Sequence, residues 1–148
     1  MVGIQVAPEQ SSVSLYDLID NTVRSALPFA TRNHNLILNE ISSGFMVHCE
    51  KKKLTEIIRG VLNAIMEFSK SSYIRISAKR YHEIVLVHFK DFNILNKTQA
   101  PYKLQPVQKM AAEMDGYVGI TSFRQYETTI ALSFTDKDRL FGDSNEGS

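Results

Sequence analysis

A chain of 148 residues fits one domain with a conventional core, and 43% hydrophobic with 22% charged residues is the composition of a folded globular protein. Seventeen Lys and Arg against sixteen Asp and Glu leave no one-signed field for nucleic acid or an anionic membrane, so neither is an expected partner. The single cysteine, Cys49, excludes an internal disulfide and a multi-cysteine zinc site; without a signal-peptide pattern in "MVGIQVAPEQ" or an apolar run of membrane-spanning length, the expected location is cytoplasmic.

Residues 1–13 read as a loose arm. From Ser14, a natural N-cap with Asp17 at the capping-box position, Leu15, Leu18, Ile19, Thr22, Val23, Ala26 and Leu27 recur at the spacing of one helix face. Pro28 lacks a backbone donor and is expected to kink or end that helix, leaving a looser last turn. "NLILNEI" and "FMVH", separated by "SSG", predict a strand, a turn and a second short strand, and Cys49 falls at the end of the latter as a packed residue.

The strongest periodicity follows. Leu54, Ile57, Ile58, Val61, Leu62, Ile65 and Phe68 mark a core helix from Glu50 to about Phe68, with Lys51, Lys52 and Lys53 as its solvated first turn. "SYIRISAKR" alternates apolar and polar residues, and "YHE" connects it to "IVLVHFKD", whose Val85, Val87 and Phe89 share a face; the two form an antiparallel hairpin with the second strand central.

"FNILNKTQAPYK" reads as an irregular connection. "LQPVQKMAAEMDG" predicts a third helix burying Leu104, Val107, Met110, Ala111 and Met114, with Pro106 in its first turn and Gly116 as its stop. "YVGITSF" and "ETTIALSF" form a last hairpin around "RQY", leaving a domain at 14–135 and a flexible polar tail at 136–148. The expected fold class is α/β: a two-layer sandwich, three helices on one face of a mixed, mostly antiparallel sheet.

That order of segments resembles the ATP-binding domain of sensor histidine kinases, within the wider GHKL group that includes gyrase, heat-shock chaperone and mismatch-repair ATPases. The resemblance rests on "SLYDLIDNTVRSALPFA", "VHCEKKKLTEIIRGVLNAIMEFS", "VHFKD" and "MDGYVGITS…ETTIALSF", from about Ser14 to Phe134. It implies a nucleotide site built from four boxes, and each box departs from the family pattern.

In the family's N-L-L-x-N-A-x-K-Y helix the second asparagine helps hold the magnesium of ATP. Ungapped alignment puts Gly60 at the first asparagine, Ala64 at the second and Glu67 at the lysine. Asn63 falls one residue early, a rotation of roughly 100° about the helix axis, and only a one-residue bulge would restore it. In the D-x-G-x-G box Asp91 remains, the adenine-recognising position by resemblance, while Asn93 and Leu95 replace the glycines that admit a nucleotide. Pro101 and Lys103 stand near the lid glycines whose amides cradle phosphates. Glu127 replaces the glycine of the last box, ahead of Thr128 and Thr129.

These replacements predict a noncatalytic pseudo-ATPase: a signalling or protein-interaction domain with no catalytic residues, no metal site and no expected cofactor. Its expected partner is a helical phosphotransfer domain, a receiver-type domain or a second copy of itself. None of His34, His48, His82 and His88 lies in the family's phosphoacceptor setting. The alternative is a divergent but active kinase domain holding magnesium-ATP with Asp91, Asn63 and Lys103. A third possibility is a pocket reused for another small molecule.

Overall fold

The computed structural model describes residues 10–92, 100–124 and 127–136. The arm at 1–9, the connection at 93–99, the turn at 125–126 and the tail from 137 lie outside the described residues.

The elements run β1 (Gln10–Ser14), α1 (Leu15–Arg32), β2 (Leu36–Asn39), β3 (Met46–Glu50), α2 (Lys51–Phe68), β4 (Tyr73–Tyr81), β5 (Ile84–Asp91), α3 (Ala100–Ala112), β6 (Tyr117–Arg124) and β7 (Glu127–Thr135). Five strands form one sheet in the order β2-β4-β5-β7-β6, parallel only between β2 and β4, and β1 with β3 forms a separate antiparallel pair. β5 is central, as expected.

Strand alternation decides where the core lies. Cross-strand register aligns Ile76, Phe89 and Ile130 in one row and Ala78, Val87, Leu132 and Val118 in the next, so these side chains share one face of the sheet. They join the buried faces of the helices in one cluster that includes Leu15 and Ile19 of α1 and Leu104 of α3. On α2, Leu54, Ile57, Ile58, Val61, Leu62 and Ile65 are all fully buried. Each such side chain contributes about 1.5–3 kcal/mol relative to exposure, so α2 is held by its packing. The opposite face of the sheet carries Arg75, Lys79, His88 and Lys90 and no helix among the described residues.

The structure corrects several expectations. Gln10–Ser14 is a strand and not loose arm, because β3 supplies its hydrogen-bonding partner. β2 and β3 are the two short strands expected, and their pairing, β2 parallel to β4 and β3 antiparallel to β1, is a choice that short apolar runs do not encode. Leu27 is 49% exposed, and α1 continues past Pro28 to Arg32. Proline removes one hydrogen bond, while Phe29 and Ala30 still accept from the Asn33 and Asn35 amides at 3.0 and 2.7 Å and close the end of the helix.

α3 starts at Ala100, ahead of the expected boundary. Pro101 and Lys103 are therefore helical, and Pro106 lies beyond the first turn; a proline at Pro101 removes only an amide that the start of a helix leaves unpaired in any case. After α3 it is Asp115 that adopts the left-handed conformation, φ 55°. Gly116 is needed for space: a Cβ there would stand 2.6 Å from the Ser133 carbonyl oxygen. Asp136, expected in a flexible tail, is 2% exposed and anchored between β3 and β4.

Candidate functional site

Asp91 ends β5 on the inner face of the sheet, in register with Ile74 on one side and Thr128 on the other, and is fully buried. A buried carboxylate needs donors. Ser69 and Ser72 supply them: the Ser69 hydroxyl donates to Oδ2 and the Ser72 hydroxyl to Oδ1.

The backbone that aims these serines is itself built from α1's end. α2 stops at Phe68, Ser69 is extended, and Ser71 turns the chain with φ 51°. Asn35 fastens this turn from both sides, its amide donating to the Ser69 carbonyl at 3.0 Å and its Oδ1 accepting from the Ser72 N–H at 2.9 Å. The Ser71 N–H donates to the Asn33 carbonyl at 2.9 Å. Across from Asp91, the Thr128 hydroxyl is buried with no hydrogen-bond partner among the described residues.

Asn63 stands elsewhere. α2 is helical from Lys51 through Phe68 with no bulge, so Asn63 keeps its off-register position and is exposed. It lines a cavity of about 410 Å³ between α1 and α2 with Phe29, Arg32, Asn33, Met66, Glu67 and Lys70. Ala64, at the position of the family's metal-binding asparagine, is 4% exposed.

Lys103 approaches from α3 and pairs with Glu67 at 2.7 Å, one helical turn after Asn63. Lys53 and Glu113 make a second, looser link at 3.6 Å. Gly60 lets the helices close together, since a Cβ on it would reach 2.8 Å from Val107 Cγ2. Of the three sequence-predicted residues, Asn63 and Lys103 thus share a neighbourhood around Glu67, while Asp91 is buried beneath the turn at Ser69 and Ser72.

Sequence reasoning missed Ser69, Ser72 and Asn35. The signal was the serine-rich "SKSS" after α2, which reads as a break until a buried acceptor is set under it. It also missed the Arg80 to Asp136 pair, whose partners are 56 residues apart.

No known family model and no curated protein matches the sequence. Solved structures do match. AdeS, a histidine kinase of Acinetobacter baumannii, superposes with a TM-score of 0.75 at 9% identity, over 89% of this chain and 70% of that one. The nucleotide-free catalytic domain of histidine kinase ThkA gives 0.71 at 13% identity, over 86% of this chain and 96% of the other. ThkA in complex with the response regulator TrrA gives 0.68 at 14% identity, covering 86% and 42%.

The chain has the histidine kinase catalytic-domain fold. At such low identities the shared property is the fold, and residue chemistry has to be argued from the side chains present. On this histidine kinase-like fold, Asp91 ends the central strand, Asn63 faces α1, and Glu67 with Lys103 bridges α2 and α3.

Proposed function

We propose that this histidine kinase-like domain is a noncatalytic signalling module that has lost productive magnesium-ATP binding and acts through protein contacts. The observation that carries the reading is the state of Asp91, the residue retained at the family's adenine-recognising position. Both of its oxygens accept from the chain's own serines, so an incoming amino group would have to displace bonds the protein already makes.

The rest of the site supports the same reading. No amide stands at position 64, and Asn63 opens toward α1. Glu67 places a carboxylate where the family has a cation, and Lys103, the remaining candidate for a phosphate, is paired with it. These residues do not fit magnesium-ATP in the way the family holds it. A helical phosphotransfer domain, a receiver-type domain or a second copy is the partner proposed.

The deciding experiment is a thermal unfolding series with magnesium-ATP. A ligand at one hundred times its Kd stabilises the native state by about 2.7 kcal/mol, so bound nucleotide must raise the midpoint. The expected result is an unchanged midpoint up to millimolar nucleotide. A concentration-dependent rise overturns the proposal.

One observation favours a second reading, a divergent but active kinase domain. The Thr128 hydroxyl, directly across from Asp91, is buried with no hydrogen-bond partner among the described residues, and a ligand could supply one. Under that reading Thr128→Val abolishes a nucleotide-induced stabilisation; under the first there is none to abolish.

A further inference from the structure

The face of the sheet opposite the helices has a depression with a definite cause. In the row Ser77, His88, Ala131, Gly119 the β7 and β6 positions carry small residues, so nothing large rises beside His88 from β7. Tyr117 leans over Gly119 and covers it. The resulting concavity, about 340 Å³, is lined by Ser77, Lys79, His88, Lys90, Thr121, Glu127 and Thr129.

Its chemistry is one-sided. Lys79 and Lys90 bring two ammonium groups, and among the described ion pairs neither takes part. Ser77, Thr121 and Thr129 add three hydroxyls that can donate. Glu127 is the single carboxylate of the lining; Arg75, in the row of Lys90 and Thr129, is neutralised by Glu40 at 2.7 Å. His88, half-buried in the floor, registers the resulting field: burial first, then Lys90 and Lys79, hold its pKa below the ordinary 6.5.

We propose that this outer-face concavity is a binding site for a phosphate group, held by Lys79 and Lys90 with the hydroxyls of Ser77, Thr121 and Thr129. Ammonium groups and hydroxyls arranged around a depression suit a compact tetrahedral dianion, and the cavity is at the lower end of the size of small-ligand sites. The space leaves room for the organic group of a phosphomonoester beside the phosphate. The site is on the opposite side of the sheet from Asp91, and of the nucleotide boxes it shares only Glu127 and Thr129, on the outward side of β7.

The full chain titrated with inorganic phosphate and, separately, with O-phosphoserine tests it, with the His88 ring protons followed by NMR across pH. A bound dianion favours imidazolium, so the expected result is a saturable rise in the His88 pKa, about tenfold weaker in Lys79→Met/Lys90→Met and stronger in Glu127→Gln. Ala131→Leu adds bulk directly beside His88 while keeping both lysines, and should weaken the response although the fold is intact by circular dichroism. Tighter binding of O-phosphoserine assigns an ester as the source, and equal binding assigns free phosphate; either upholds the site. No saturable change at His88, or one that persists undiminished in the double lysine variant, overturns it.

Discussion

Val107 packs its Cγ2 methyl onto Gly60, so closely that a Cβ on the glycine would lie only 2.8 Å away. The contact ties α3 to α2 at the position of the family's first box asparagine. Rewriting that asparagine as Gly60→Asn should therefore cost about 1–3 kcal/mol through overpacking, against only about 0.3 kcal/mol that exchanging glycine for asparagine returns in helix propensity. Valine is stiff at χ1 and has no flexible end to move aside. Urea unfolding checks this, and Val107→Ala in the Gly60→Asn background should recover part of the loss. An equally stable Gly60→Asn would show that α3 is not seated on α2 at this point.

Ser69 and Ser72 both donate to a fully buried carboxylate, and hydrogen bonds to a charged group contribute about 1.5–3 kcal/mol each. Ser69→Ala and Ser72→Ala should each lower stability by that amount. Because they share Asp91, the double variant should depart from the sum of the two singles. Chemical denaturation of the four proteins measures the coupling, and strict additivity would argue that the two serines act on separate acceptors.

How far the sequence reveals this arrangement depends on the range of the interaction. α2 is legible because its own periodicity fixes which face is buried, and Asp91 falls on the inner face by the same alternation that buries Val85, Val87 and Phe89. β1 is not legible: "QSSVS" offers little apolar pattern, and its strand exists because β3 runs beside it. The start of α3 was hidden by Pro101, a residue that breaks helices inside and is tolerated at their start. The serine donors and the Asn35 fastening are tertiary, and no local spacing announces them.

Asp136 follows β7 and accepts from the Arg80 guanidinium at 2.6 Å, while the His48 amide approaches at 3.3 Å. Its side chain is 3% exposed and that of Arg80 25%. Removing the cation takes the closest ion-pair partner from a buried carboxylate that also has the His48 ring at 3.5 Å, so Arg80→Met should cost about 3 kcal/mol, the low end for a broken buried pair. Asp136→Asn retains an acceptor for His48 and removes the buried charge, and should cost less. Thermal melts of both variants settle the order, and the reverse order would mean that the carboxylate does not need its cation.

Cys49 lies in β3 with 1% exposure, and its pKa is pushed up to about 12, first by burial and then by the Asp136 and Glu50 carboxylates. The folded thiol thus stays protonated where an unfolded one, ionising near 9.0, has become thiolate. Between those values the unfolded chain binds fewer protons than the native one, so this group's contribution to stability is intact below about pH 9 and declines as pH rises toward 12. Urea midpoints measured from pH 8 upward should fall more steeply for the native sequence than for Cys49→Ala, the difference isolating the thiol from lysines and tyrosines common to both. At pH 8 a thiol reagent should label the folded chain only as fast as it opens, and label it at once in denaturant. Immediate labelling under native conditions would place Cys49 in contact with solvent and remove the basis for the pH slope.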